Sequence, residues 1–451
     1  DTGCALFGVV EEDDEVMSTP VTDTGAGSQL APNYFTHTFE NGLQMVGQLM
    51  PSLASVTFGV QLAAGLRDEP EDKLGLTYLL SEMMFQGTEQ RSVRQLTEDF
   101  EAIGARKGGE SSNEFARYSA QIVSDRLDRA LELMADVLLH PTFPKEELEQ
   151  MRSVQLQDIR RRDDEPMRRI FDIVRERFYG GTNLGRRALG TAESVAQLSR
   201  DDLHSFWQSR YHPQGSLLSI AGNFDWEHAV GEVGARLGGW SGTTRDSLVQ
   251  MPQPRTSVEI EPNEGNQEHI GMAFPFPIYG DPDYYAASVV SEIFGGGMTS
   301  RLFREVREKR GLVYSVASIF APNGVYGANF LYAGTTPEKA HETVHVMLEE
   351  LRKLQAEGVT DDELTRAKVQ IKSELVMRGE SSAARMGALA RSWWFERKLT
   401  TIQELKAAID GVTREQILGL LQRFPPTVPL VVGAIGPRTQ DELIGDELKL
   451  S

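Results

Sequence analysis

The sequence predicts an α+β protein of two homologous domains in tandem, each a β-sheet with helices packed on it. Two observations predict this fold class. Segments in the first half of the 451-residue chain match segments in the second half at a nearly constant offset, which indicates an internal duplication. Each half also begins with β-rich alternation, continues with apolar residues at helical spacing and ends in an apolar strand.

Four pairs of segments carry the duplication, at offsets of about 210 to 216 residues. They are LLSEMMFQG (79–87) with VVSEIFGGG (289–297), DRALELMADVL (128–138) with EKAHETVHVML (338–348), FPKEELEQMRSVQLQDI (143–159) with VTDDELTRAKVQIKSEL (359–375), and SRDDLHSF (199–206) with TREQILGL (413–420). One such pair could arise by chance, but four pairs in the same order at similar spacing indicate a repeat.

The strands follow the same plan in both halves. Each half opens with a β-rich segment, at 53–65 and at 269–278. Each half closes with an apolar strand, at 216–222 and at 429–436. Helical patterns occupy the chain between them, so each domain is expected to place several helices against one sheet.

The domain boundaries follow from composition. Residues 244–256 have the polar and proline content of a linker. We therefore expect one domain at 33–243 and the other at 257–451. Residues 1–32 end in a stretch rich in Ser, Thr, Gly and Pro, which is typical of a flexible N-terminal arm.

Composition argues against several classes of function. A formal net charge of -20 argues against nucleic acid or an anionic membrane as partner, since both require a basic face. No apolar run approaches the roughly 18 to 20 residues that span a bilayer. Cys4 is the only cysteine, so neither an internal disulfide nor a cysteine-based metal site is expected. We expect a soluble protein of a bacterial-type cytoplasm or periplasm, with the compartment left open.

The segment GLTYLLSEMMFQGT, residues 75–88, reads as a helix built like one that carries metal ligands, yet it contains no histidine. An apolar stripe at helical spacing predicts that the helix packs on its sheet. The stripe consists of Leu76, Leu79, Leu80 and Met83.

The segment GLRDEPEDKLGLTYLLSEMMFQGT resembles the N-terminal motif region of the pitrilysin and mitochondrial-processing-peptidase family. Members of this family are zinc proteases with an inverted His-x-x-Glu-His motif. The resemblance extends from about residue 33 through most of the chain, including DEPMRRIFDIVRERFYGG and GGGMTSRLFREVREKRGLVYSV. The family's fold also has two homologous domains, and the resemblance implies that the chain forms half of a clamshell.

Carried over position by position, the family's metal site is degenerate in this chain. The first metal histidine falls on Tyr78, the general-base glutamate on Ser81, the second histidine on Glu82 and the downstream glutamate on Asp158. A catalytic zinc needs three good ligands and a carboxylate to take the proton of its water. The resemblance therefore implies that this half binds no zinc and cuts no peptide. Weak binding of a hard cation by Glu82 and Asp158 is the alternative.

A second motif, HETVH at 341–345, matches the forward zinc motif His-Glu-x-x-His. Its helix is predicted to bury Ala340, Val344, Met347 and Leu351, which turns both histidines toward solvent. The repeat also pairs this helix with 128–138, which is not the motif helix of the first half. We therefore interpret HETVH as surface, with a zinc site as the alternative.

Residues 294–316, FGGGMTSRLFREVREKRGLVYSV, begin with a glycine-rich loop of Gly295, Gly296 and Gly297, suited to a tight turn or to the close approach of another chain. Composition alone favours a solvated charged helix after this loop. The family, however, carries an Arg and a Tyr seven residues apart that face the zinc across a closed chamber. The resemblance places them at Arg307 and Tyr314, as substrate-binding residues.

The resemblance thus implies the non-catalytic subunit of a heterodimeric peptidase, silent on its own. Its partners would be a homologous catalytic subunit with an intact His-x-x-Glu-His motif and its zinc, and an unfolded peptide substrate. This chain would bind no cofactor itself. Two alternatives are a structural or chaperone-like homologue and an active metalloenzyme that uses HETVH or the Tyr78, Glu82 and Asp158 site.

Overall fold

The computed structural model describes residues 28–31, 33–244 and 249–445 of the chain. They form an α+β protein with two tandem domains, each built around one sheet, so the predicted fold class is confirmed. Residues 1–27 of the predicted arm and 245–248 of the predicted linker lie outside the described residues. At the end of the predicted arm, Ser28–Ala31 forms a strand rather than a flexible segment.

The first sheet has seven strands in the order β1-β2-β3-β7-β4-β6-β5. The strands β3 and β7 are parallel, and the other neighbours are antiparallel. The bounds are β1 Ser28–Ala31, β2 Tyr34–Thr38, β3 Gln44–Leu49, β4 Ser55–Leu62, β5 Arg106–Ser111, β6 Ala116–Val123 and β7 Leu217–Gly222. The two predicted strands of this half, at 53–65 and 216–222, are β4 and β7.

The described residues of the first half form eight α-helices. They are α1 Leu76–Met83, α2 Val93–Ala102, α3 Leu127–Leu139, α4 Lys145–Asp163, α5 Pro166–Phe178, α6 Ala192–Gln197, α7 Arg200–Arg210 and α8 Trp226–Leu237. Side chains of α1, α3 and α8 share one buried cluster with Val56, Phe58 and Val60 of the central strand β4. This cluster is the main core of the first domain.

The second sheet has five strands in the order β10-β11-β9-β12-β8. The strands are β8 Ser257–Pro262, β9 Glu268–Pro275, β10 Val313–Ala321, β11 Ala328–Thr335 and β12 Val431–Gly436. The helices of this half are α9 Tyr284–Gly295, α10 Ala340–Glu357, α11 Asp361–Gly379, α12 Ser382–Glu396, α13 Ile402–Gly411, α14 Arg414–Arg423 and α15 Gln440–Leu443. The predicted strands at 269–278 and 429–436 are β9 and β12, at the centre of this sheet.

Each half lends one helix to the sheet of the other half. Helix α5 of the first half packs on the second sheet and buries Ile170, Ile173 and Val174 there. Helix α12 of the second half packs on the first sheet and buries Met386, Leu389 and Ala390. The side chain of Arg385 also donates hydrogen bonds to the Tyr34 hydroxyl at 2.8 Å and to Gln48 at 2.7 Å. Each sheet is therefore covered on one face by a helix from the other half of the chain.

Gly271 and Gly433 of the second sheet allow α5 to approach closely. A Cβ atom on Gly433 would lie 2.7 Å from Val174 Cγ2 and 3.1 Å from Ile170 Cδ1. Because both side chains are fully packed, we expect Gly433→Ala to lower the free energy of unfolding by about 1 to 3 kcal/mol, measured by urea denaturation. Gly231→Ala is the control: a Cβ on Gly231, inside α8, meets nothing within 4 Å, and the change should stabilise the helix by up to about 1 kcal/mol. If Gly433→Ala and Gly231→Ala changed the free energy of unfolding equally, the packing of α5 on the second sheet would not be a source of stability.

Candidate functional site

The helix α1, which holds the family's metal-ligand positions, begins under tight local constraint. Its first turn follows Gly75, whose φ of +85° places it in the left-handed region that favours glycine. The buried carboxylate of Glu69 accepts the backbone N–H groups of Gly75 at 3.1 Å and Thr77 at 2.7 Å. Burial raises the pKa of Glu69 to about 7, although these hydrogen bonds oppose the rise. The sequence analysis did not single out Glu69, because its carboxylate reaches the start of α1 only through the fold of the loop that precedes the helix.

The structure brings Tyr78 of α1 and Asp158 of α4 together. The Tyr78 hydroxyl donates to Asp158 Oδ2 at 3.4 Å, and Asp158 also pairs with Arg161 at 2.7 Å. The buried hydroxyl of Ser81 donates to the carbonyl oxygen of Tyr78 at 2.7 Å. The helices α1 and α4 therefore meet at positions that the resemblance assigns to metal ligands, and Tyr78 bonds there to Asp158.

Two cations that sequence reasoning missed balance the carboxylates of this site. Burial raises the pKa of the Glu82 carboxyl, Lys107 of β5 opposes this rise, and nearby Asp158 adds to it. The Lys107 ammonium lies 4.2 Å from the centroid of the Phe85 ring, and burial lowers its pKa. Arg161 is the second cation. Lys107 has no sequence signature because it meets Glu82 across two elements, β5 and α1, whereas Arg161 lies one turn from Asp158 on the same helix α4.

The donor set of this site does not fit a zinc ion. Burial, together with Glu82 and Asp158, raises the pKa of Tyr78 to about 12, so its hydroxyl stays protonated near neutral pH and is a poor ligand. Ser81 is engaged with the backbone and offers no carboxylate for proton transfer. Asp158 is already paired with Arg161. No zinc-dependent step can be derived from these four residues.

The forward motif HETVH lies on α10, where Ala340, Val344, Met347 and Leu351 are buried and both histidines are exposed. His341 contacts the carbonyl oxygen of Leu443 at 3.1 Å. Within the described ranges, these histidines belong to no group of three metal-ligating side chains. The predicted orientation of the helix thus agrees with the structure.

The group of three metal-ligating side chains that does occur in the described ranges is Asp128, His228 and Glu232, on α3 and α8. His228 contacts Asp128 at 2.9 Å, and Glu232 pairs with Arg236. Both carboxylates therefore already have partners, and this group is remote in sequence from HETVH.

The glycine-rich segment allows a close approach of backbone rather than a left-handed turn. Gly295, Gly296 and Gly297 have no positive φ, so they form no left-handed turn. Gly295 instead permits a close approach: a Cβ atom there would lie 2.4 Å from the backbone nitrogen of Ser318. The approaching backbone is the chain's own strand β10, so the end of α9 packs directly against that strand.

Arg307 lies on a π-helical segment, Phe303–Glu308. Three of the neighbouring cations, Arg304, Lys309 and Arg310, are paired with Glu305. Arg307 is exposed and has no carboxylate partner in the part of the chain that the structure describes. Its guanidinium lies 5.0 Å from the centroid of the Phe303 ring, so the charge is held near the protein surface and is open to a ligand.

Tyr314 lies at an irregularity of the edge strand β10, where the pairing with β11 shifts register between Val313 and Ser315. Such bulges redirect a side chain. The Tyr314 ring is 43% exposed, and its hydroxyl donates to the carbonyl oxygen of Thr335 at 2.9 Å. Tyr314 thus stands at an open sheet edge with a hydroxyl that is bonded only to one backbone acceptor.

A cavity of about 350 Å³ adjoins Tyr314. It is lined by His269 and Thr336, and by Pro166 at the start of the exchanged helix α5. His269 Nδ1 contacts the Tyr332 hydroxyl at 2.9 Å, and burial lowers the pKa of His269. A neutral imidazole therefore lies beside Tyr314, a neighbour that no sequence pattern indicated.

Two tandem α+β domains, each built of one sheet with helices packed on it, define the fold class of this protein. The chain belongs to peptidase family M16, the insulinase or pitrilysin family. Residues 45–192 match the model for insulinase, peptidase family M16, and residues 197–371 match the model for the peptidase M16 inactive domain.

Bacterial relatives extend over most of the chain. An uncharacterized zinc protease of Streptomyces coelicolor is 31% identical over 84% of this chain and 84% of its own length. The uncharacterized zinc protease YmxG of Bacillus subtilis is 29% identical over 86% of this chain and 95% of its own length. Family membership therefore rests on both halves of the chain.

Solved structures share the fold. A peptidase M16 inactive domain from Pseudomonas fluorescens superposes with a TM-score of 0.85 at 23% identity, over 90% of this chain and 98% of that one. A protease from Helicobacter pylori gives 0.84 at 17% identity, over 90% and 99%. Among the described residues, no helix is both long and apolar enough to cross a membrane.

Proposed function

We propose that this chain is the catalytically inactive subunit of a heterodimeric zinc metallopeptidase. It supplies the substrate-binding pair Arg307 and Tyr314, and half of a closed chamber, to a homologous subunit that carries the zinc. The observation that carries the proposal is a contrast within one chain. The polar groups at the metal positions Tyr78 and Asp158 bond to each other, whereas Arg307 and Tyr314 face outward.

The geometry of Tyr314 supports a role in polarising a peptide bond. A phenol hydroxyl can donate to a carbonyl oxygen or to the oxyanion that forms from it. The hydroxyl of Tyr314 now bonds to the Thr335 carbonyl, an acceptor it can exchange for a substrate oxygen by rotation of an exposed side chain. Burial raises the pKa of Tyr314, so the group stays a donor at neutral pH.

The edge strand β10 supports the binding of an extended peptide. It pairs with β11 on one side only and stands at the end of the second sheet. An unfolded segment can add to such an edge through main-chain hydrogen bonds, next to the unpaired guanidinium of Arg307. The partner subunit then presents its zinc to the same segment from the opposite side of the chamber.

A second candidate is a structural or chaperone-like homologue without a role in proteolysis. A chain of Complex III2 from Candida albicans superposes with a TM-score of 0.78 at 18% identity, over 92% of this chain and 97% of that one. That likeness concerns the fold. The outward-facing pair Arg307 and Tyr314 favours the peptidase subunit, because a purely structural role has no use for it.

The proposal predicts activity only by complementation. Purified chain is expected to leave an unfolded fluorogenic peptide uncut, and a mixture with an M16 homologue of the same genome that has an intact His-x-x-Glu-His motif is expected to cut it in a zinc-dependent way. The homologue alone, measured at the same concentration, is the control. Equal rates for the homologue alone and for the mixture would favour the structural candidate. Zinc-dependent cleavage by this chain alone would refute both.

A further inference from the structure

The exchanged helices α5 and α12 are symmetry mates within the duplicated chain. Aligned at a constant offset, their buried residues coincide: Ile170 with Met386, Ile173 with Leu389, and Val174 with Ala390. The same alignment pairs Arg175 with Arg391. Both arginines line one cavity of about 490 Å³ between the two halves of the protein, so the cavity lies near the internal two-fold axis.

One pair of equivalent positions departs from this symmetry. Phe171 of α5 packs on the second sheet against Phe330, with ring centroids 6.3 Å apart, and Phe330 lies opposite Ala273. The position on α12 that matches Phe171 is Gly387, and a Cβ atom on Gly387 meets nothing within 4 Å. The helix α12 therefore leaves space where α5 fills it.

The sheet surface that faces this space is polar, in contrast to its mate. Gln61 lies opposite Arg117 across β4 and β6, at the place where the second sheet has the pair Ala273 and Phe330. Gln61 has no exposed surface, and neither its amide nitrogen nor its amide oxygen has a hydrogen-bond partner among the described residues. A buried amide without partners is costly, and it lines the cavity.

Two arginines of the cavity lining have no carboxylate partner among the described residues, although the other charged side chains there are paired. Glu110 pairs with Arg117. Glu114 is 3.6 Å from Arg67 and accepts the backbone N–H of Gly324 at 2.9 Å. Arg175 and Arg391 have no carboxylate partner in the described ranges: Arg175 lies 5.9 Å from the Phe330 ring centroid, and the polar neighbour of Arg391 is the neutral hydroxyl of Tyr279.

We propose that this cavity is a binding site for a carboxylate-bearing ligand, held between the guanidinium groups of Arg175 and Arg391 and hydrogen-bonded by the Gln61 amide. Guanidinium groups match the planar carboxylate with two parallel hydrogen bonds. The volume of the cavity suits a small molecule or a peptide of a few residues. The stacked rings of Tyr279 and Phe395, with centroids 4.2 Å apart, form an apolar wall of the cavity. The source is either the free C-terminus of a peptide or a small dicarboxylate.

Isothermal titration calorimetry on the whole chain tests this site. The probes are an N-acetylated tripeptide with a free C-terminal carboxylate, the same tripeptide amidated, and succinate. We expect at least one carboxylate probe to bind, and the amidated tripeptide to bind roughly tenfold or more weakly than the free acid. Binding of the free acid identifies a peptide terminus, and binding of succinate alone identifies a dicarboxylate. If neither the free-acid tripeptide nor succinate releases or absorbs heat of binding at millimolar concentration, the proposal is overturned.

Matched variants separate the cavity from the rest of the surface. Gly387→Phe fills the space and should abolish binding, whereas Gly387→Ala should retain it; both replace a helix glycine and should leave the protein folded, which thermal unfolding checks. Arg391→Gln should weaken binding roughly tenfold or more. The exposed Arg94, which pairs with Glu98 on α2, is the control for charge, so Arg94→Gln should bind as the parent does. Undiminished binding by Gly387→Phe would place the ligand elsewhere and refute the site.

Discussion

Tyr314→Phe and Arg307→Ala are each expected to reduce the peptidase activity of the assembled heterodimer by roughly 10- to 1,000-fold, the range that follows loss of one transition-state donor. Tyr314 can donate to a carbonyl oxygen whose charge grows during the reaction, so the phenylalanine variant should lower kcat with little change in KM. Arg307 has no carboxylate partner among the described residues, and its guanidinium lies over the Phe303 ring, so its loss should raise KM as well.

Controls within the same segment make this result specific. Arg310 stands three residues from Arg307 and is paired with Glu305, so Arg310→Ala should leave activity within about twofold, since exposed pairs contribute little. Tyr285→Phe removes a hydroxyl near the start of α9, and Tyr285 does not line the cavity beside Tyr314. Activity of both Arg307→Ala and Tyr314→Phe at the level of these controls would sink the role assigned to the pair, even if complementation itself were observed.

Arg301→Met is expected to lower the free energy of unfolding by about 3 to 5 kcal/mol, the usual cost of removing one partner from a buried ion pair. Arg301 bonds Glu363 through two nitrogens, at 2.7 and 2.8 Å, and donates to the Gly358 carbonyl at 2.7 Å. Its loss would leave Glu363 buried and charged. Because Arg301 directly precedes the π-helical segment, the variant should also reduce complementation through a displaced Arg307.

The pH dependence of stability gives an independent check. Burial alone would raise the pKa of Glu363, but hydrogen bonds from Arg301 and Thr360 outweigh it and lower the pKa to about 2. The stabilisation by this carboxylate is therefore complete above about pH 5 and is lost as the pH falls through the folded pKa. Urea denaturation between pH 2 and 6 should show this loss in the parent and a much smaller one in Arg301→Met.

The double variant Arg301→Met with Glu363→Leu distinguishes an ion pair from simple packing. Replacing both charges with apolar groups leaves no buried charge, so much of the stability lost in Arg301→Met should return. A double variant that is less stable than Arg301→Met would show that the two positions contribute independently, contrary to the contacts seen.

The sequence alone determined the architecture, and it predicted a degenerate metal motif. Central strands such as β4 and β12 are continuous apolar or alternating runs, and α1 keeps its apolar stripe, so their patterns predict burial directly. The duplication was visible because both halves keep the same order of elements. The resemblance predicted that Tyr78, Ser81 and Glu82 stand at the positions of the family's zinc motif, a prediction that depends on residue identity alone.

Only the tertiary structure decided how the halves combine. The pattern of α5 predicts a helix but not that it crosses to the second sheet, and no local feature links Gly387 to the buried amide of Gln61. The bulge that exposes Tyr314, and the approach of Lys107 on β5 to Glu82 on α1, likewise depend on neighbours far apart in sequence. Local patterns report which face of an element is buried, whereas the partner of that face is set by packing across the whole chain.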